Sequence, residues 1–464
     1  MDKPFDIAAD LDTPVSAYLK LKPLKPRFLL ESVEGGSYLS RYSFLGLGDV
    51  IKIEIRDNIF FINDEAVQEL GDSNDLLKCF RQALVDIPNL KPAADDVPFT
   101  GGLVGFGSYD LVRFFEHLPK GQHQAPKTEH PDGCYIAPES LLIFDHLTRR
   151  IALLHVSGED QRSQLKDKII ELLRGPIPYS DEQHVFTAPE PNITDSEYYQ
   201  AVEKAKNLIR EGDIYQLVLS IKFRGSCHLD PFQAYRAMRL LNPSPYMFYC
   251  DVGHFQVVGS SPEALVRLNG TQASLRPIAG TRPRGKNSQE DAVLEADLIS
   301  DEKENAEHVM LVDLARNDLG RVAKKGTISV NPYKSIEHYS HVMHMVSGVQ
   351  GELGQDKDAF DLFAAAFPAG TLVGAPKVRA MELIDSIEPE LRGIYGGTVG
   401  YFGKNGDMDQ AIAIRTIVFS EGQYSFQAGG GIVADSKPDD ELQEVMAKSE
   451  ILRKALEMAV EGMH

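Results

Sequence analysis

The sequence predicts an α+β fold in which large antiparallel sheets pack against helices. Three observations point to it. Strand-like and helix-like segments follow one another without the strict alternation of a parallel α/β sheet. Glycine-bounded runs such as Gly396–Phe402 and Ala411–Phe419 have strand length and composition. One proline-rich, polar seam, Arg174–Asn192, has periodic segments on both sides and predicts two domains, residues 1–180 and 190–464.

Each element has a local reason. Ahead of the seam, Val50–Ile55 and Ile59–Ile62 read as short strands between turns, and Asp75–Val85 carries the clearest helical period. After it, Thr194-Asp-Ser-Glu197 is a capping box that opens a helix with Tyr198, Val202, Ala205 and Ile209 on one face. Gly212 ends that helix, and Ile214–Phe223 follows as a strand. Its alternation puts Tyr215, Leu217, Leu219 and Ile221 on one side and Gln216, Ser220 and Lys222 on the other. Long helices are expected over about 289–318, continuous or broken, and over 438–461.

Composition narrows the function. The chain has 464 residues, 48 basic and 68 acidic, for a net charge of −20, and no basic tract. Nucleic acid and anionic membrane surfaces are therefore excluded as main partners. The four cysteines form no C-x-x-C pair, so reduced thiols and a cytoplasmic setting are expected. Asp2 and Asp6 stand where a signal peptide needs an apolar run. The longest uncharged apolar stretch, Leu362–Pro376, is too short to span a membrane and is broken by Pro368, Gly370 and Gly374. There is no tryptophan, against 17 tyrosines and 22 phenylalanines.

Some residues could carry chemistry. Glu304 and Glu307 share a helix face with Leu311 and Leu314, and Glu441, Glu444 and Lys448 share another with Ile451 and Leu452. Carboxylates in line with an apolar stripe suit Mg²⁺, which is held by one or two acids plus water and an anionic substrate. Spacing alone favours a solvated helix flank for either pair. Gly370-Thr-Leu-Val-Gly-Ala-Pro-Lys377 misses the register of a phosphate loop and leaves a glycine turn opening a helix. Ala428-Gly-Gly-Gly431 allows close backbone approach or a tight turn. Arg282 and Arg284 form a basic island that could receive a carboxylate or pair with nearby acids. His341 and His344 are by default core-edge histidines.

In order along the chain these signals become specific. GSSPE (Gly259–Glu263), RPIAGTRPRG (Arg276–Gly285), DEKENAEHVMLVDLARND (Asp301–Asp318), GTLVGAPKVRAME (Gly370–Glu382), IAIRT (Ile412–Thr416), AGGGIV (Ala428–Val433) and ELQEVMAK (Glu441–Lys448) together resemble the chorismate-utilising enzymes. The likeness covers essentially everything after the seam. RFLLESVEGG (Arg27–Gly36) and RYSFLG (Arg41–Gly46) extend it into the first part, toward the anthranilate-forming branch.

The resemblance implies a two-domain chorismate-utilising fold and Mg²⁺-dependent conversion of chorismate and ammonia to anthranilate and pyruvate. Glu307 and Glu444 match the magnesium ligands, with Glu304 and Glu441 behind them. Glu263 matches the general acid that assists departure of the ring hydroxyl. His344 and Thr371 match residues near the bond that releases pyruvate. Tyr395 and Arg415 match the residues that hold the enolpyruvyl carboxylate. Gly280, Thr281, Gly429, Gly430, Gly431 and Lys448 match further substrate contacts.

Two positions discriminate within the family. Where salicylate and isochorismate synthases carry a lysine that activates water, this chain has Gln216. Where aminodeoxychorismate synthase components commonly have a lysine, it has Ala279. Both imply direct amination at C2. The alternatives are an aminodeoxychorismate synthase component, an enzyme that stops at the aminated intermediate, and a catalytically silent tryptophan-binding regulator. The chain has no glutaminase cysteine elbow. The resemblance therefore implies a separate glutaminase subunit, in an assembly of two synthase and two glutaminase chains. It also implies a tryptophan feedback site formed by Glu31 and Ser32 with Pro245, Tyr246 and Met247.

Overall fold

The computed structural model describes residues 4–33, 41–94, 97–118, 130–178, 184–339 and 342–463. His341 and the end of the RFLLESVEGG motif (34–36) lie outside the described residues. Among the described residues, two antiparallel sheets of 13 and 11 strands dominate, with a third of three strands.

The large sheets pack face to face. Phe44, Phe248, Val257 and Val418 of the first meet Val104, Phe106, Ile136, Val399 and Tyr401 of the second in one buried cluster. This is the thickness of side chains expected between two stacked sheets. Helices Pro231–Leu241 and Pro438–Glu461 cover the outer face of the first sheet. The seam divides the sequence, yet both sheets run across it. Strand Pro26–Glu31 pairs with Tyr246–Asp251, and Gly102–Gly107 pairs with Thr398–Gly403.

Most local expectations have structural counterparts. Strands Ile51–Arg56 and Ile59–Ile62 and helix Ser73–Asp86 lie where periodicity placed them. Helix Asp195–Arg210 opens on the capping box, with Glu197 and Thr194 bonded reciprocally. The 289–318 segment is two helices, Ser288–Ser300 and Glu302–Gly320. They break at Asp301, whose carboxylate accepts the Lys303 and Glu304 N–H groups at 3.0 and 3.1 Å and so starts the second helix.

Three expectations are corrected. Tyr215 is 70% exposed, because the strand begins at Gln216, two residues later than expected. The single strand expected over Ala411–Phe419 is two, Met408–Ile412 in the second sheet and Thr416–Ser420 in the first. Ala428–Gly431 makes no turn: it lies inside strand Gln423–Ile432, where ladder hydrogen bonds to Gln216–His228 hold it extended. No described helix is long and apolar enough to cross a membrane.

Candidate active site

Two crossovers between the sheets bring the first functional pair together. Strand Phe255–Ser261 lies in the first sheet and Ala264–Asn269 in the second, so the chain changes sheet at Glu263. Met408–Ile412 and Thr416–Ser420 make the reverse change beside it, through Arg415. The Ser260 N–H donates to the Arg415 carbonyl at 3.1 Å, and the Ile412 N–H to the Glu263 carbonyl at 3.0 Å. Arg415 sits at φ +49°, a left-handed conformation that costs about 1 kcal/mol or more for a non-glycine residue. Its Nη1 donates to Asn242 Oδ1 at 3.1 Å.

Glu263 faces a small cavity of about 40 Å³ lined by Leu265, Leu275, Leu311, Leu314 and Ile412. Burial among them pushes its carboxyl from an ordinary 4.5 up to about 7, opposed by a hydrogen bond from Thr371 Oγ1 at 3.0 Å. A carboxylic acid that keeps its proton near neutral pH is what a general acid requires.

His344 and Thr281 lie opposite each other in the three-stranded sheet. His344 Nδ1 is 3.1 Å from the Gly280 carbonyl and 3.0 Å from Thr281 Oγ1. A carbonyl only accepts, so Nδ1 carries the proton and Nε2 keeps its lone pair. Burial, with the Arg415 charge nearby, lowers the His344 pKa, leaving the ring neutral. Gly280 is a bulge at φ +69°, and a Cβ there would come within 2.9 Å of Leu298 and 3.2 Å of Glu304 Oε2.

The acids of the C-terminal helix come up against a glycine strip, and Glu307 is joined to its edge through Gln216. Glu307 Oε1 accepts from Gln216 Nε2 at 3.1 Å, and a Cβ on Gly431 would sit 2.7 Å from that same nitrogen. A Cβ on Gly430 would be 3.3 Å from Glu441 Oε2 and 3.6 Å from Glu444 Oε1, and one on Gly429 would be 2.7 Å from the Tyr395 hydroxyl. Removing three consecutive side chains thus lets one helix, the Gln216 amide and a buried tyrosine reach one strand. Lys448 Nζ bridges Glu444 Oε1 at 2.6 Å and the Gly429 carbonyl at 2.9 Å.

Two of these acids are pushed toward the neutral form, an effect that a cation nearby would reverse. Burial and the neighbouring Glu307 push the Glu304 carboxyl up, against the pull of Arg282. Burial and Glu444 push up Glu441, with Ser436, Lys303 and Lys448 opposing. Among the described residues no group of three or more His, Cys, Asp or Glu side chains is arranged to hold a metal alone. One or two carboxylates completed by an anionic substrate is the Mg²⁺ pattern. The basic island resolves as pairing: Arg282 bonds Asp297 and Asp301 at 2.6 and 2.7 Å, and Arg284 bonds Asp291 at 2.7 Å.

A second cavity, of about 110 Å³, lies between the sheets. Glu31, Ser32, Pro245, Tyr246 and Met247 all line it, together with aromatic Tyr42, Phe44 and Tyr401. Glu31 and Met247 are register partners. The Glu31 carboxylate is engaged by the Tyr235 hydroxyl and by Arg239 Nε, the latter at 3.2 Å. Tyr246 donates to Asp409 Oδ1 at 3.1 Å, and Arg267 pairs with the same acid at 2.9 Å. Sequence reasoning did not single out Asn242 as the partner of Arg415, nor Arg267 and Asp409. Neither link has a signature in spacing, because the partners are far apart in the chain.

Comparison with known proteins shows the family of the chain. A family profile described as chorismate binding enzyme matches residues 25–454. Anthranilate synthase component 1 of Thermus thermophilus is 43% identical over 459 residues, covering 98% of this chain and 97% of that protein. The Cereibacter sphaeroides protein of the same name is 44% identical, covering 98% and 94%. The crystal structure of anthranilate synthase component I from Streptococcus pneumoniae superposes with a TM-score of 0.78 at 34% identity, covering 96% of this chain and 98% of that one.

Proposed function

The chain belongs to the chorismate-binding enzyme family, and on that premise we propose that it is the synthase component of an anthranilate synthase. It takes chorismate and ammonia to anthranilate, pyruvate and water. Ammonia attacks C2, the ring double bonds shift, and the C4 hydroxyl leaves as water with the proton of Glu263. The ammonium formed at C2 then releases its surplus proton, which restores the acid for the next turnover. Thr371 holds that carboxyl in place from 3.0 Å. The C2 proton is then removed, the enolpyruvyl C–O bond breaks, and the enolpyruvyl methylene gains a proton as pyruvate leaves. His344, neutral and with Nε2 unprotonated, is the group suited to move those protons.

Arg415 and Tyr395 bind the enolpyruvyl carboxylate, a planar guanidinium giving a two-point grip. Glu307 and Glu444 would hold Mg²⁺, with Glu304 and Glu441 behind them. The ion supplies charge neutralisation for the ring carboxylate of the substrate. A net charge of −20 and a dianionic substrate are thereby reconciled locally.

The observation that carries the choice of nucleophile is Gln216. Its amide nitrogen donates to Glu307, and an amide cannot take a proton from water, whereas ammonia needs no base to attack. Ala279, buried opposite Met345, offers only a methyl group to the ring. In this reading a cytoplasmic glutaminase partner supplies the ammonia, and tryptophan occupies the cavity of about 110 Å³ between the sheets. Ligand there would bias the packing of the two sequence parts.

The test incubates the purified chain with chorismate, Mg²⁺ and an ammonium salt at mildly alkaline pH and identifies the products. Anthranilate and pyruvate are expected, with turnover lost on chelation. p-Aminobenzoate, its aminated precursor, salicylate or no turnover would overturn the reading. Glutamine is expected to replace ammonia only once a glutaminase subunit is added.

A further inference from the structure

One side chain that the reaction does not touch binds several parts of the site at once. Arg392 is 3% exposed and lies behind the substrate-facing residues. Its Nε and Nη2 form a fork on Glu388, at 2.9 and 2.6 Å. Nη1 donates to the Leu372 carbonyl at 2.6 Å, and Nη2 also donates to the Val218 carbonyl at 2.9 Å. The guanidinium lies 4.9 Å from the Tyr109 ring centre and 5.7 Å from that of Tyr395. Glu388, 6% exposed, accepts in turn from the Ser220 N–H and hydroxyl at 3.0 and 2.7 Å.

Each partner adjoins a residue of the site. Leu372 closes the short turn Gly370–Leu372, which carries Thr371 and hence the hydrogen bond to Glu263. Val218 stands two residues along the strand from Gln216, which holds Glu307. Val218 pairs in register with Gly431. The Tyr395 hydroxyl packs against Gly429. Turn, strand and tyrosine belong to separate chain segments, and the guanidinium is a common partner of all three. Only a rigid, planar donor fork meets acceptors in these directions; an ammonium on a flexible stem is a point charge.

We propose that Arg392, oriented by Glu388, is a positioning residue for the reaction, holding Thr371, Gln216 and Tyr395 in one arrangement. The role rests on the anthranilate synthase reading. A displacement of about 1 Å far from the chemistry can lower turnover by about 10²-fold. The loss falls on kcat, with a smaller rise in KM through Tyr395, because Arg415 bonds to Asn242 and Lys448 to Glu444 and Gly429 and neither bonds to Arg392.

The experiment compares the full chain with Arg392→Lys and with the paired variant Arg392→Met/Glu388→Gln, using chorismate, Mg²⁺ and ammonium chloride. The paired variant removes both charges, so no buried ion is left alone, and the glutamine still accepts from Ser220. Circular dichroism and thermal midpoints establish which variants are folded. The expected result is a folded paired variant with kcat down by about 10²-fold and KM for chorismate within about threefold. Arg392→Lys is expected to lose at least tenfold in kcat. A folded paired variant with kcat within about threefold of the parent would show that Arg392 is only a structural ion-pair member. A loss confined to KM would overturn the proposal as well. A parent that makes no anthranilate overturns the underlying reading itself, so the two failures are told apart.

Discussion

Replacing Glu263 by glutamine should make the protein more stable at alkaline pH while removing its activity. The carboxyl is raised from 4.5 to about 7 by burial. At about 1.4 kcal/mol per pH unit, the folded protein pays about 3 kcal/mol to ionise it above neutrality. A carboxyl with a raised folded pKa is protonated in both folded and unfolded chains at low pH, so it costs nothing there. As pH climbs from 4.5 toward 7, the unfolded chain releases the proton while the folded one keeps it, and stability falls. Glu263→Gln cannot ionise. Its stability relative to the parent should therefore rise by about 2 to 3 kcal/mol between about pH 5 and about pH 8. Urea unfolding at both pH values measures this difference. Turnover of chorismate with ammonium should fall by about 10²-fold to 10⁴-fold, because glutamine has no proton to give the leaving hydroxyl. The parent's kcat should decline as pH rises through about 7. A stability difference that stays flat with pH would show that the carboxyl is not desolvated. Turnover within tenfold of the parent would show that Glu263 is not the acid.

Glu307→Ala and Glu444→Ala should each abolish anthranilate formation and weaken Mg²⁺ binding at least about tenfold by calorimetry; unchanged affinity in both would move the metal elsewhere. Gly280→Ala places a methyl group at φ +69° and 2.9 Å from Leu298, so its urea midpoint should drop by the equivalent of about 1 to 3 kcal/mol, and an unchanged midpoint would mean that the bulge relaxes. The chain contains no tryptophan, so indole fluorescence in a titration belongs to the ligand alone. Ser32→Leu, which adds bulk beside the cavity of about 110 Å³, should weaken the tryptophan-dependent signal at least about tenfold, and full-strength binding would place the effector site elsewhere.

The missing tryptophan also bears on biology under the proposed reading. An enzyme needed when tryptophan is scarce can be translated without it. Relatives rich in tryptophan would undo that explanation.

The elements that carry the candidate site were largely legible because their signals are local. The capping box at Thr194 and the acids at 304 and 307 and at 441 and 444 depend on helical spacing within one or two turns, and the helices fall where that spacing puts them. The motif order also carried the family. What was misjudged locally has a common cause. Residues 411–419 read as one strand because hydropathy does not change where a chain leaves one sheet for another. The glycine run read as a possible turn because only a neighbouring strand keeps it extended.

By itself, then, the sequence determined the capping box at Thr194, the helices that carry the paired acids, and the order of motifs that marks the family. Tertiary structure decided the rest. The Glu263 and Arg415 segments meet because two sheet crossovers lie side by side, and Glu441, Glu444 and Tyr395 come up against one strand because Gly429 and Gly430 have no side chains. The Glu263 carboxyl is raised because residues distant in the chain, Leu275, Leu311 and Leu314 among them, line its cavity. Pairing across a sheet and burial between packed elements depend on residues far apart in the chain, so no local pattern encodes them.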